Sequence, residues 1–311
     1  MNSLEDWIAE KNVPILILLG PAGVGKSTIA REFVRSCAHV DNFAVISFSF
    51  ARNDSQCSDL YRVPPTLAVQ LHRMEYPGLK ETVERTLGED PLIWSRPLSK
   101  QFKEFVIKPI HESFAISPHT KLTFIIFLDN LDACQDYDAL KRFLSDIKSI
   151  IVNESHNGRV KILCTSSDVP STDVAFRPLS RYYRRVSIQT QDTRKDILTY
   201  LKGSAQDLTQ LQPQLPWDAI FSHIADVAAD NFGIAASTLQ RLRDSNIQHS
   251  EDIQRITGAV SAQLSGTIGH VNAQQNHEDP PLPHKVAALT ILLELLRRKD
   301  VRYIPAGLPK L

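Results

Sequence analysis

From Pro14 to Ile188, short runs of apolar residues alternate with longer stretches in which apolar residues recur every third or fourth position. Continuous apolar runs are typical of strands buried on both faces, and the longer periodicity of amphipathic helices, so the alternation predicts a parallel sheet with crossover helices. Strands are expected at Pro14–Leu19, Phe43–Phe50, Leu122–Leu128, Val160–Thr165 and Arg185–Ile188. The first helix, Lys26–Cys37, would turn Ile29, Ala30, Phe33 and Val34 inward. A second begins at Pro64 and Pro65, since proline suits a first turn. A third runs from Leu98 to Phe114, with Pro109 expected to kink or divide it. A fourth, Tyr137–Val152, carries Leu140, Phe143, Leu144, Ile147 and Ile151 on one side. After Ile188 the strand signals stop. Helices are expected at Thr193–Lys202, Trp217–Ala229, Phe232–Arg243, Glu251–Leu264 and Lys285–Arg298, separated by a polar stretch, Ser265–Pro283, that reads as an exposed linker.

A chain of 311 residues, 42% hydrophobic and 23% charged, can bury a large core, which excludes intrinsic disorder, a collagenous fibre and a disulfide mini-scaffold. Thirty-five basic residues balance thirty-five acidic ones, so no overall field draws the chain to nucleic acid or to an anionic membrane. Cys37, Cys57, Cys134 and Cys164 lie far apart, without zinc-ligand spacing, and read as reduced thiols packed like small hydrophobes. The run Val13–Leu19 is too short to span a bilayer and follows acidic Glu5 and Asp6, so a soluble, cytoplasmic protein is expected.

One stretch carries chemistry. Gly20-Pro21-Ala22-Gly23-Val24-Gly25-Lys26-Ser27-Thr28 fits G-x-x-x-x-G-K-[ST] and stands between an expected strand and an expected helix, the context a P-loop requires. Glycines let the backbone curl so that successive N–H groups converge on phosphate oxygens at a helix N-terminus. Lys26 would reach the β- and γ-phosphates, Ser27 would ligate Mg²⁺, and Thr28 would touch the α-phosphate or cap the helix. Such a loop needs a second acid at a neighbouring strand end, and Asp129 closes the run Thr123–Leu128. Asp129 is therefore expected to hold Mg²⁺ through its water shell, with Asp132 beside it.

Other readings are weaker. Asp129, Asp132, Asp136 and Asp138 lack the spacing and central glycine of a calcium loop. No N-K-x-D follows a strand, and Asp230-Asn-Phe-Gly233 falls too late to serve a guanine nucleotide, so ATP or ADP is the expected ligand. A small-molecule kinase would need an acceptor site, and none is recognisable.

The pattern resembles the NACHT subgroup of signal-transducing (STAND) P-loop NTPases, in particular the fungal NLR-like proteins with a nephrocystin-3-like N-terminal domain. The resemblance rests on Trp7-Ile8, on Pro14 through Ala30, on Ser47-Phe-Ser-Phe-Ala-Arg52 and on Pro65–Leu71. It continues with Gln101-Phe, Lys108-Pro-Ile110, Phe127-Leu-Asp-Asn-Leu-Asp-Ala-Cys134, Ile162-Leu-Cys-Thr-Ser166, Asp196–Leu201 and Asn231–Ala236. The likeness spans about residues 4 to 245; with the change of pattern after Ile188, the chain is expected to hold a P-loop NTPase domain at 1–188 and a helical lid at 189–264, followed by a polar linker at 265–283 and a C-terminal helix and tail at 284–311. The resemblance further implies an ATP-dependent switch that closes its lid over nucleotide and self-associates or meets an NLR-like partner. Three departures bear on turnover. Ala133 stands where the family carries an acid, Ser167 where it carries a phosphate-sensing arginine, and Asn130 where it carries a small residue. Loss of these charges implies slow or absent hydrolysis, or a scaffold that holds nucleotide without turnover. Arg52, at the end of the second strand, could supply part of the missing charge. Arg177, Arg181, Arg184 and Arg185 read as a solvated basic face rather than an arginine finger, and Gly307-Leu-Pro309 as a chance likeness to an adenine-contacting motif.

Overall fold

The computed structural model describes residues 2–244 apart from 41, 53, 120, 155–157, 169–175, 177–178, 180–181 and 189–192, together with Arg255. The helices expected at Glu251–Leu264 and Lys285–Arg298, the linker between them, Gly307–Pro309, Arg177 and Arg181 lie outside the described residues.

Among the described residues, five strands form one sheet: β1 (Ile15–Gly20), β2 (Phe43–Ser49), β3 (Thr123–Asp129), β4 (Val160–Ser167) and β5 (Tyr183–Ser187), in the order β2-β3-β4-β1-β5. β2 and β3 are parallel with Phe43 opposite Thr123 and Ser49 opposite Asp129, and β3 and β4 are parallel with Phe124 opposite Val160. This is the parallel sheet with flanking helices of the P-loop NTPase fold. Burial along each strand follows from its place. Central β1, β3 and β4 are buried almost throughout, whereas edge strand β2 alternates and edge strand β5 is largely uncovered. The β2 edge is closed by a side chain. Gln70 donates to the Ser47 carbonyl at 2.7 Å and accepts the Ser47 N–H at 2.8 Å, standing in for a sixth strand's backbone.

Around the sheet lie α1 (Asn2–Ala9), α2 (Lys26–Ala38), α3 (Val63–Arg73), α4 (Leu79–Glu89), α5 (Leu98–Phe102), α6 (Lys108–Ile116) and α7 (Tyr137–Glu154). α5 and α6 are one expected helix interrupted by a π-helical turn, Lys103–Ile107, in which the Lys108 N–H bonds the Lys103 carbonyl five residues back. Pro109 brings no N–H and its ring crowds the carbonyl four residues earlier, and the wider turn relieves both. On α2, Ala30, Phe33, Val34 and Cys37 are buried, but Ile29 is 38% exposed, so that part of the expected apolar face is corrected. Aromatic pairs join helix to sheet and helix to helix: Phe114 and Tyr76 meet the Phe124 ring edge-on, Phe102 meets Phe143, and Trp94 stacks on Phe105 with ring centres 4.7 Å apart.

After β5 come α8 (Thr193–Ser204), α9 (Gln206–Leu211), α10 (Trp217–Ala228) and α11 (Phe232–Asp244). Their core is separate from that of the sheet and includes Ile197, Leu201, Trp217, Phe221, Ile224 and Leu239. The described residues form two compact units. One holds the described residues up to Leu19 and from Ser27 to Val186; the other holds the described residues after Val186 together with Gly20–Lys26. That last segment, the glycine-rich loop, groups with the helices after β5, which no linear reading of the chain contains.

Among the described residues, no helix is long and apolar enough to cross a membrane. All four cysteines are free, and three are buried. Burial pushes the thiols of Cys134 and Cys164 up to about 12.

Candidate functional site

The loop is built as its residue types require. Gly23 and Gly25 take φ of +79° and +93°, the left-handed region closed to most side chains. A Cβ on Gly25 would have room, with nothing nearer than a Phe232 ring carbon at 3.9 Å, so only its backbone conformation demands glycine. Gly23 has no such room. A Cβ there would stand 1.9 Å from the Asn231 Oδ1.

The neighbour at Gly23 is the start of α11. The Phe232 N–H donates to the Gly23 carbonyl at 2.7 Å, and Asn231 Oδ1 caps the helix by accepting from Gly233 N–H at 2.8 Å and Ile234 N–H at 3.2 Å. Ala229 and Asp230 precede it in left-handed conformation, so Asp230-Asn-Phe-Gly233 forms a turn and a cap. Lys26 closes the loop on itself. Its ammonium donates to the Gly20 carbonyl at 2.8 Å and the Pro21 carbonyl at 2.7 Å, with the residue 7% exposed. A cation so far out of water, in a loop with two left-handed glycines, is a fitting receptor for a phosphate. Pro21, Ala22, Gly23 and Thr28 are exposed, Val24 is buried, and Ser27 is half-buried.

A second group of candidate residues belongs to the sheet. Asp129 ends β3 and is 1% exposed. Its Oδ1 accepts from Thr165 Oγ1 at 2.6 Å, and its Oδ2 from Arg31 at 2.7 Å and Ser49 Oγ at 3.3 Å. Arg31 lies one helical turn beyond Ser27 on α2, so the two share a face, and the Ser27 face of the helix is the one that meets Asp129. The oxygens that meet here, from Asp129, Ser49 and Thr165, and the hydroxyl that Ser27 carries one turn before Arg31, are hard donors without a histidine or thiolate among them, which suits Mg²⁺.

Asp132, in the short 3₁₀ turn after β3, sits in a second cluster. Its Oδ1 accepts the Ser167 N–H at 2.9 Å, and its Oδ2 accepts the Ser167 hydroxyl at 2.8 Å and Arg52 at 2.8 Å. Arg52 also donates to the Asp132 backbone carbonyl at 3.2 Å. Arg52 and Ser167 are thus both drawn to one carboxylate. The other departures also have local explanations. Asn130 is left-handed, φ 63°, a conformation asparagine tolerates; its N–H donates to Thr165 Oγ1 at 2.7 Å and its side chain to the Phe50 carbonyl at 3.1 Å. Ala133 is buried in the apolar core, 3% exposed.

Asp136 caps α7 through the Ala139 N–H at 2.8 Å, and among the described residues no three His, Cys, Asp or Glu side chains gather as a metal cluster. Arg185 pairs with Asp168 at 2.8 Å and Arg184 with Glu10. Arg31, Ser49 and Thr165 were not singled out in the sequence. The signals were there: the i, i+4 relation to Ser27 for Arg31, and strand-end hydroxyls flanking Asp129 for the other two.

The family model described as nephrocystin 3, N-terminal, matches residues 1–167, just over half of the chain. The chain belongs to that family. The matched span contains the whole loop, Arg31, Arg52, Asp129 and Asp132, and ends at Ser167. No curated protein matches the chain in sequence. Among solved structures, the Aeropyrum pernix ORC2 protein, solved as ADPNP–ADP complexes, is similar with a TM-score of 0.52 and 13% identity, covering 94% of this chain and 83% of that one. Cdc6p from Pyrobaculum aerophilum aligns with a TM-score of 0.45 and 13% identity, covering 94% of this chain and 82% of that one. PCH-2 from C. elegans aligns at 0.42 with 16% identity, over 81% and 62%. At such identity the likeness to the Aeropyrum protein is one of fold.

Proposed function

We propose that this chain is an ATP- or ADP-binding switch module of the NACHT type, with Mg²⁺ as its metal and with slow or no hydrolysis. The observation that carries the proposal is the state of Lys26: a buried ammonium held on the carbonyls of its own glycine loop, which phosphate oxygens would replace as partners. In this reading the N–H groups of Gly20–Lys26 cradle the phosphates, Ser27 and Asp129 share the metal, and Thr28 borders the α-phosphate. When bound, the metal would screen the phosphate charge and orient its oxygens.

The bond from Phe232 N–H to the Gly23 carbonyl supports a switch, because a loop that reshapes around phosphate would alter the start of α11. The helices after β5 would then act as the lid, and a homo-oligomer or NLR-like partner would read its position. Slow turnover is supported by the Asp132 cluster, where Arg52 and Ser167 occupy the one acid beside Asp129, and by buried Ala133. The same observations favour a second reading, a scaffold that holds nucleotide and never turns it over.

Phosphate release from radiolabelled ATP separates the two. Release above background that Lys26→Ala abolishes supports the slow enzyme. Tight binding without release, even at high protein concentration, supports the scaffold.

A further inference from the structure

We propose that Arg31 is a built-in counter-cation that keeps divalent metal away from Asp129 until nucleotide arrives, so that metal binds only as a nucleotide complex. The inference rests on the reading of Asp129 as the metal-side acid and adds to it the control of that metal by this chain's own helix.

A carboxylate that is 1% exposed needs a partner of opposite charge, because an uncompensated buried charge is costly. Arg31 is that partner, 2.7 Å from Oδ2, and the pair is formally neutral. The second acid of this strand end is neutralised in the same way, Asp132 by Arg52 at 2.8 Å. Each of the two acids therefore carries its own arginine. A lone Mg²⁺ or Mn²⁺ would have to shed water to enter a site of zero net charge, and this hydrated ion dehydrates reluctantly.

Three features make Arg31 displaceable. Its side chain is 39% exposed, so the guanidinium can withdraw to solvent while its stem stays against the helix. Its bond to Asp129 is a single one to Oδ2, without the second parallel bond of a bidentate arginine–carboxylate pair. And Arg31 occupies the α2 face of Ser27, so guanidinium and metal would compete for the same carboxylate oxygen. Phosphates entering the loop bring negative charge and additional oxygen ligands for the metal, which tips that competition. Thr165 and Ser49 remain to hold Asp129 in place when Arg31 leaves.

The test is Mn²⁺ binding to the full chain without nucleotide, followed by the loss of the free-ion electron paramagnetic resonance signal. Arg31→Gln is expected to bind one Mn²⁺ at least tenfold more tightly than wild type, Arg31→Lys to behave as wild type, and Arg31→Gln/Asp129→Asn to lose the gain. Equal Mn²⁺ affinity of Arg31→Gln and wild type overturns the inference. Because Arg31→Gln leaves a buried charge and can fail to fold, a second measurement uses wild type alone. Phenylglyoxal labelling of Arg31, read by mass spectrometry, is expected to rise several-fold in Mg²⁺ with ADP relative to ADP with chelator. Unchanged labelling overturns the inference too. Failure of the underlying reading has a different signature: Mn²⁺–ATP binding to Asp129→Asn that matches wild type. If that binding does need Asp129 while Arg31→Gln gains no Mn²⁺, the counter-cation inference alone falls.

Discussion

Asp132 accepts both the backbone N–H and the hydroxyl of Ser167, at 2.9 and 2.8 Å, and so ties the turn after β3 to the end of β4. Arg52 adds a third donor from beyond β2. Hydrogen bonds to a charged acceptor contribute more than neutral ones, about 1.5–3 kcal/mol each when well sheltered. Asp132→Asn keeps the shape but removes the charge, and is expected to cost about 2 kcal/mol in urea unfolding. Arg52→Ala is expected to cost less, about 1 kcal/mol at most, because that side chain is largely exposed. The reverse order would show that the ion pair, rather than the Ser167 bonds, holds the turn.

At Gly23 two penalties coincide. A left-handed backbone with a Cβ costs about 1–2 kcal/mol, and the atom would also strike Asn231. Gly23→Ala is therefore expected to lower stability by more than about 2 kcal/mol and to abolish nucleotide binding. On an Asn231→Ala background, which lacks both the clashing side chain and the α11 cap, Gly23→Ala should cost less than it does in wild type, because only the backbone strain remains. Differential scanning fluorimetry of the single and double variants checks this; an equal cost in both backgrounds would mean that the helix start does not rest on the loop.

Lys161 gives a pH signature outside the site. It lies 1% exposed on β4, and its ammonium donates to the carbonyls of Trp7, Glu10 and Val13, fastening the N-terminal segment. Burial pushes its pKa down to about 8 from 10.5, with Glu10 opposing the shift and Arg184 assisting it. Between those values the unfolded chain holds the extra proton, so this group's contribution to stability grows as pH rises from 8 to 10.5 and is lost as pH falls through 8. Lys161→Met lacks that slope. The stability difference between wild type and Lys161→Met is expected to shift toward wild type by up to about 3 kcal/mol over this window, with groups common to both cancelling.

Buried thiols with raised pKa values react slowly. Iodoacetamide at pH 8 is expected to modify Cys57 first, because it alone is not fully buried, while Cys134 and Cys164 remain unmodified until denaturant is added. Peptide mapping over time checks the order.

The sheet was legible because its three inner strands are covered on both faces and so leave unbroken apolar runs. α1 and α4 were not, and their sequences explain why. α1 is 8 residues long, and α4 offers the core only a narrow stripe, Leu79, Val83 and Leu87, with glycine at both ends. In the site, the loop could be read because its conformation constrains which residues it may contain. Arg31 and Thr165 left only the weak local signals of a helical spacing from Ser27 and a strand-end hydroxyl, because what gives them their place is a partner 98 or 36 residues away in another element. Ser167 illustrates the same point: the sequence marks the absence of an arginine, and only the fold reveals the bond to Asp132 that takes its place.

On the proposed reading, the loop around Lys26 receives nucleotide phosphates. Isothermal titration of the wild-type chain and of Lys26→Ala with ATP in the presence of Mg²⁺ tests it most directly. Saturable 1:1 binding by wild type, weakened at least a hundredfold in a folded Lys26→Ala, is the expected result. Absence of heat with any purine triphosphate, or equal binding by the two proteins, would contradict the account.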